Sequence, residues 1–150
     1  MAVFVRDAPF DPWVEIGRHS AAHPALAGRY GATSVFVGTL RDLNQGHTVH
    51  AMTLEHYPGM TERELHGIEA EARSRWQILD ALTVHRVGEV SPNETIVVVA
   101  VWASHRRDAF GACREIMEAL KTRAPFWKRE STDSGPRWVV AEGKSGEGDS

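Results

Sequence analysis

The chain has 150 residues and a mass of 16.6 kDa, about one domain's worth, which excludes an enzyme with separate cofactor and substrate modules. A hydrophobic share of 42%, with five Trp and five Phe, supplies a core and excludes disorder over most of the length. Seventeen Lys and Arg against twenty Asp and Glu leave a net charge of −3, which excludes a broad nucleic-acid or membrane-surface coat.

In chain order, the first ten residues carry Arg6 and Asp7 where a secretory leader has a basic end and a long apolar run. Asp11-Pro12 reads as a helix N-cap followed by proline at the first helical position, opening a helix through about Ala22 that Pro24 ends. From Gly31, Ala-Thr-Ser-Val-Phe-Val-Gly-Thr-Leu reads as a strand, Arg41 to His47 as a loop, and Val49 to His56 as a second strand, together a hairpin with an exposed loop. Pro58-Gly59 breaks the pattern. Thr61-x-x-Glu64 then reads as a capping box before Leu65, Ile68, Ala72 and Trp76, which recur at helical spacing.

Leu82 to Val87 alternates like a strand, Ser91 to Glu94 has turn chemistry, and Thr95 to Ala103 is apolar enough to be a strand buried on both faces. The longest apolar run, Ile96 to Ala103, is too short to span a membrane. Phe110, Cys113, Met117 and Leu120 form the stripe of an amphipathic helix from about Arg106 to Thr122, with Pro125 just beyond its end. Phe126 to Ser131 and Arg137 to Val140 read as two short strands around a Ser-Gly-Pro turn. The order β-α-β-β-α-β-β-α-β-β makes the fold α+β, one domain over residues 1–142 with a solvated Gly/Ser/acid-rich tail at 143–150.

The lone Cys113 forms neither an intramolecular disulfide nor a multi-thiolate metal site, and a reduced cytoplasmic setting is the expectation. It lies on the apolar face of its helix and reads as a buried, inert thiol. Asn93-Glu94-Thr95 matches a glycosylation sequon that an unsecreted chain leaves unused. His47, His50 and His56 beside Glu55 lack the fixed spacing of a metal site, so no metal site is assigned. Gly143-Lys144-Ser145 lacks the upstream glycine of a phosphate loop.

Segment by segment, the charge is not featureless. Residues 55–94 hold eight acids and four bases, net −4, whereas residues 105–129 hold seven bases and three acids, net +4. The start of the basic stretch, Ser104-His105-Arg106-Arg107, combines helix N-terminal N–H groups with cationic side chains, which suits a phosphate or carboxylate. Only three lysines occur against fourteen arginines, yet Lys121 and Lys128 flank Pro125, one closing a helix and the other opening a strand. If the chain reverses there, the two ammonium groups approach one pocket, where repulsion and burial favour proton transfer or nucleophilic attack. The alternative is that Lys121 complements a helix C-terminus and Lys128 sits on a solvated strand face.

Five blocks are recognisable as strings: 31–41 (Gly-Ala-Thr-Ser-Val-Phe-Val-Gly-Thr-Leu-Arg), 54–60 (Leu-Glu-His-Tyr-Pro-Gly-Met), 85–89 (His-Arg-Val-Gly-Glu), 104–106 (Ser-His-Arg) and 120–130 (Leu-Lys-Thr-Arg-Ala-Pro-Phe-Trp-Lys-Arg-Glu). In order and spacing, from about Gly31 to Val140, the chain closely resembles the large, catalytic subunit of molybdopterin synthase. The resemblance implies an α/β hammerhead fold with an added small β subdomain. It implies a homodimer at the core of a heterotetramer, with a small ubiquitin-like sulfur carrier at each end whose Gly-Gly terminus is a thiocarboxylate. The implied activity transfers two sulfurs from carrier tails to cyclic pyranopterin monophosphate, giving the dithiolene of molybdopterin, with no metal or organic cofactor.

Carried over by position, Lys121 and Lys128 match the two catalytic pocket lysines. Thr39, Leu40 and Arg41, the His105-Arg106 pair, and Arg129-Glu130 match substrate-binding positions, some of them supplied across the dimer interface. Thr39 stands where some members carry lysine and offers a hydroxyl or backbone donor instead. Phe36 and Met117 match apolar positions of the pocket that receives the carrier tail. The competing class is a non-catalytic binding module for a ubiquitin-like protein or a small nucleotide, which needs only the positive charge of Lys121 and tolerates arginine there.

Overall fold

The computed structural model describes residues 2–44, 46–123 and 126–139; Pro125 and the expected tail at 143–150 lie outside the described residues. The organising element is β7 (Thr95–Ala103). Strand side chains alternate between faces, so Val97, Val99, Val101 and Ala103 point one way and Val98, Ala100 and Trp102 the other, and all seven are buried. That double burial is why the segment reads as continuous apolar sequence. β7 runs antiparallel to β5 (Ile78–Arg86) on one side and to β2 (Ala32–Thr39) on the other. β1 (Ala2–Arg6) pairs parallel with the far edge of β5, giving the order β1-β5-β7-β2.

Two helices cover one face of this sheet, α2 (Met60–Arg75) and α3 (Arg106–Thr122). Leu65, Ile68 and Ala72 of α2 and Ala109, Ala112, Cys113, Ile116, Met117 and Leu120 of α3 form one cluster with the odd-numbered residues of β7. The second face is covered by α1 (Pro12–Ala22) and a short 3-10 turn at Pro24–Leu26, whose Ile16 and Leu26 pack with Leu82, Val84 and the even-numbered residues of β7. Asp11 caps α1 as expected, accepting from the N–H groups of Trp13 and Val14 at 2.9 and 3.3 Å.

A second sheet forms the small β subdomain. It contains β3 (Leu43–Asn44), β4 (His47–His56), β8 (Phe126–Thr132) and β9 (Gly135–Val139) in that order, with β6 (Gly88–Val90) also paired to β4. Leu40, Val49, Met52, Leu54 and Val90 form its own core.

Three expectations need correction. The strand at 32–39 does not form a hairpin with the strand after it: β2 pairs with β7 in the first sheet, and the hairpin partner of β4 is β3. The separation is fixed at Leu40, whose N–H donates to Glu94 O at 3.0 Å and whose carbonyl accepts from Asn93 N–H at 2.8 Å, tying the end of β2 to the β6–β7 turn. The cap of α2 is Gly59, not Thr61; Gly59 has φ +83°, and its N–H donates to the Glu62 carboxylate at 3.0 Å. Finally, Phe110 is 64% exposed, because the buried stripe of α3 runs through Ala109 and Ala112 and leaves Phe110 at its edge.

Candidate functional site

Two cavities meet at the C-terminal end of α3. One of about 770 Å³ lies between β2 and α3 and is walled by Phe36, Phe110, Cys113, Met117 and Lys121 among others. The other, about 230 Å³, is walled by Thr39, His85, Phe126, Lys121 and Lys128 among others. Phe36, Met117 and Lys121 belong to both, so the wide apolar part leads into a narrow cationic one.

Local sequence explains each placement. Met117 and Lys121 are four apart on α3 and share a face, with Met117 buried and Lys121 exposed in the last turn. On β8 the alternation buries Phe126, half-buries Lys128 and buries Glu130, while Trp127 and Arg129 face out. The described ends of α3 and β8 thus bring Lys121 and Lys128 to one cavity, as the lysine pair suggested. Gly38 keeps the neck open. A Cβ there would lie 3.0 Å from Val97 Cγ1 and 3.3 Å from Phe36 Cε1, and the β2–β7 register shifts between Gly38 and Thr39.

His85 was not among the expected site residues, yet it lines the narrow cavity between the first sheet and β8. Its Nδ1 lies 2.8 Å from Arg86 O. A carbonyl oxygen only accepts, so Nδ1 carries the hydrogen and Nε2 is left as an acceptor. The ring stacks on Phe126 with centroids 3.8 Å apart and planes 13° apart. Burial, with smaller contributions from the charges of Lys128 and His56, lowers its pKa from 6.5 to about 4, so the imidazole is neutral near pH 7. The only sequence signal was His-Arg-Val-Gly-Glu as a block, because stacking and burial are tertiary properties.

The remaining expected residues fall in different places. Thr39 lines the narrow cavity. Leu40 is buried in the core of the second sheet, so its side chain packs and does not face the cavity. Arg41 follows β2 and is exposed. Arg129 points away from the cavity and stacks its guanidinium over Trp138, 5.9 Å from the ring centroid. Glu130 is an internal anchor: Asn44 Nδ2 donates to its two oxygens at 3.1 and 3.0 Å, and Arg137 Nε donates at 3.1 Å. It is buried and ties β3 and β9 to β8. His105 and Arg106 are exposed at the N-terminus of α3, the opposite end from Lys121 and about 22 Å away at the helical rise of 1.5 Å per residue. Cys113 lines the wide cavity, and burial raises its thiol pKa above the ordinary value, as an inert thiol requires.

A family model described as MoaE protein matches residues 6–123. The chain is 50% identical over 137 residues to the molybdopterin synthase catalytic subunit of Ralstonia nicotianae, covering 91% of this chain and 76% of that one. It is likewise 50% identical over 139 residues to the molybdopterin synthase catalytic subunit of Pseudomonas aeruginosa, covering 93% and 90%. Its fold is similar to the solved molybdopterin biosynthesis MoaE protein from Burkholderia ambifaria, with a TM-score of 0.78 at 48% identity over 97% of this chain and 93% of that one.

Proposed function

The chain belongs to the MoaE family, the catalytic subunits of molybdopterin synthase, and from that premise we propose how its residues divide the work. The substrate is cyclic pyranopterin monophosphate, and the sulfur donor is the thiocarboxylated Gly-Gly tail of a small ubiquitin-like carrier subunit. The observation that carries the reading is the joined cavity. Its apolar part, between Phe36 and Met117, suits an extended glycine tail, and its narrow end holds Lys121 and Lys128, where two anions must meet.

Lys121, shared by both parts, is the principal catalytic group, polarising the tail's terminal acyl group and protonating at the pterin side chain as sulfur moves. For each sulfur, the acyl carbon–sulfur bond breaks as water supplies the oxygen that returns the tail to a carboxylate, and on the pterin side chain a carbon–sulfur bond forms as a carbon–oxygen bond breaks, the departing oxygen leaving protonated or on phosphate. Lys128 binds substrate charge beside Lys121, and neutral His85 lets it do so without a third cation in the narrow cavity. Thr39 offers a donor at the same end.

His105 and Arg106 are too far from Lys121 along α3 to serve the same cavity from one chain. A second copy of the chain in a homodimer brings them, and a carrier at each end completes a heterotetramer. Arg41 adds phosphate affinity from the end of β2, and Arg129 and Glu130 hold β8 in place through Trp138, Asn44 and Arg137. No helix among the described residues is long and apolar enough to cross a membrane, and the buried single thiol suits a reduced cytoplasm.

The test is dithiolene formation from purified chain, thiocarboxylated carrier and cyclic pyranopterin. Lys121→Ala is expected to lower turnover at least 100-fold, and Lys121→Arg to restore little, because guanidinium keeps charge but does not exchange protons near neutral pH. Near-normal turnover in either variant would sink the assignment of Lys121.

A further inference from the structure

On the face of the first sheet away from α3 and the lysine pair, α1 carries His19 and His23, four residues apart and therefore on one helix face. Opposite them, Asp80 stands on β5. One ligand atom from each of the three lies within 4.8 Å of the others, and His19 Nε2 is 2.7 Å from Asp80 Oδ2. Tetrahedral ligands at bond lengths of about 2.0–2.1 Å stand about 3.3 Å apart, a spacing that these two distances bracket. The His19 and His23 rings are stacked, so His23 has to turn out of that stack to aim a nitrogen at an ion held between His19 and Asp80.

The supporting contacts are those that orient ligands. His23 Nδ1 lies 2.7 Å from the carbonyl oxygen of His19, so Nδ1 carries the hydrogen and Nε2 is the lone-pair nitrogen. Asp80 Oδ1 accepts from Ala81 N–H at 2.9 Å and Oδ2 faces His19, and the carboxylate has a further positively charged partner that an ion there has to displace. The His19 ring is fixed between His23 and Trp102, with centroid distances of 4.1 and 5.1 Å. His19 and Asp80 are buried whereas His23 is exposed, so an ion held there has a route in and an open side for water.

We propose that His19, His23 and Asp80 form a site for a zinc-type divalent transition-metal ion, with three protein ligands and water as the fourth. Two imidazoles and one carboxylate are a donor set for zinc, cobalt or nickel rather than for magnesium or calcium. The ion takes the place of the proton between His19 Nε2 and Asp80 Oδ2, and that proton leaves to the other ring nitrogen or to solvent. The site pins the C-terminal half of α1 to β5 and takes no part in sulfur transfer, so its test does not depend on the proposed activity.

Full-length chain without a histidine tag, stripped by a chelator, is titrated with Zn²⁺ by calorimetry and with Co²⁺ by visible absorption. One equivalent per chain, tetrahedral cobalt bands and a Zn²⁺-dependent rise in Tm are expected. His23→Ala removes the stack on His19 and the bond to its carbonyl, so the metal-free Tm should fall; measured against that variant's own metal-free Tm, binding should weaken by at least about tenfold and the Zn²⁺-dependent rise should be abolished. The His47→Ala, His50→Ala, His56→Ala triple variant should bind as the parent does. Absence of stoichiometric uptake, uptake that survives His23→Ala, or uptake lost only in the triple variant would overturn the proposal.

Discussion

His85 and Glu69 are two buried titratable side chains with opposite consequences. Glu69 on α2 is fully buried, with one carboxyl oxygen accepting from Thr83 Oγ1 at 3.0 Å, and burial raises its pKa from 4.5 to about 8. The folded state therefore holds a proton on Glu69 that the unfolded chain releases, so its contribution to stability is full below pH 4.5 and is lost as pH rises through about 8. His85 acts the other way. Its pKa is lowered from 6.5 to about 4, so its contribution is full above pH 6.5 and is lost as pH falls through about 4. Glu69→Gln should flatten the alkaline side of the stability profile and His85→Gln the acid side. Urea midpoints measured across that range check both, and parallel curves for parent and variants would refute the assignment. Charge scarcity and helix spacing are local patterns that singled out Lys121, Lys128 and Met117 as candidates, whereas Phe36 came only from the family resemblance. His85 and Glu69 were not legible, because their character comes from what other elements pack around them.

At the scale of elements, α3 was legible to its ends, since its apolar stripe, its basic first turn and the proline beyond it agree. Three buried residues of that stripe, Ile116, Met117 and Leu120, each contribute about 1.5–3 kcal/mol by leaving water, whereas the exposed Arg114–Glu118 pair contributes about 0.3–0.5 kcal/mol. Packing therefore sets the helix's position, and with it Lys121. The close approach of Trp76, at the end of α2, makes this testable. A Cβ on Gly111 would meet the Trp76 ring at 2.4 Å, and Trp76 Nε1 donates to Glu115 Oε1 at 3.3 Å, so ring and helix are locked together. Gly111→Ala should cost about 1–3 kcal/mol despite alanine's better helix propensity, read from a denaturation midpoint. A neutral or stabilising result would mean the ring moves freely. Strand pairing was the illegible part: β2 and β4 are neighbours in sequence, but β2 finds its long apolar partner in β7, and nothing local in 41–47 announces that choice.

For the whole molecule, the net charge of −3 conceals a division that the fold makes spatial. The basic stretch is not one patch, because α3 carries His105 and Arg106 at one end and Lys121 at the other, about 22 Å apart by helical rise. A single chain thus has a cavity with two lysines and, at the other end of α3, a basic helix start that lines neither part of that cavity. In the two-fold dimer proposed above, each helix start would serve the partner's cavity. That arrangement predicts complementation. Lys121→Ala and Arg106→Ala chains, each nearly inactive alone, should regain activity when unfolded together and refolded. A mixed dimer then pairs one doubly damaged site with one intact site that takes Lys121 from the Arg106→Ala chain and Arg106 from the Lys121→Ala chain. Random pairing makes half the dimers mixed, so recovery should approach about a quarter of the parent activity. If both residues acted within one chain, every site in the mixture would keep one lesion and no recovery would follow. Because each variant alone is nearly inactive, the recovery distinguishes a site shared between chains from one complete in each.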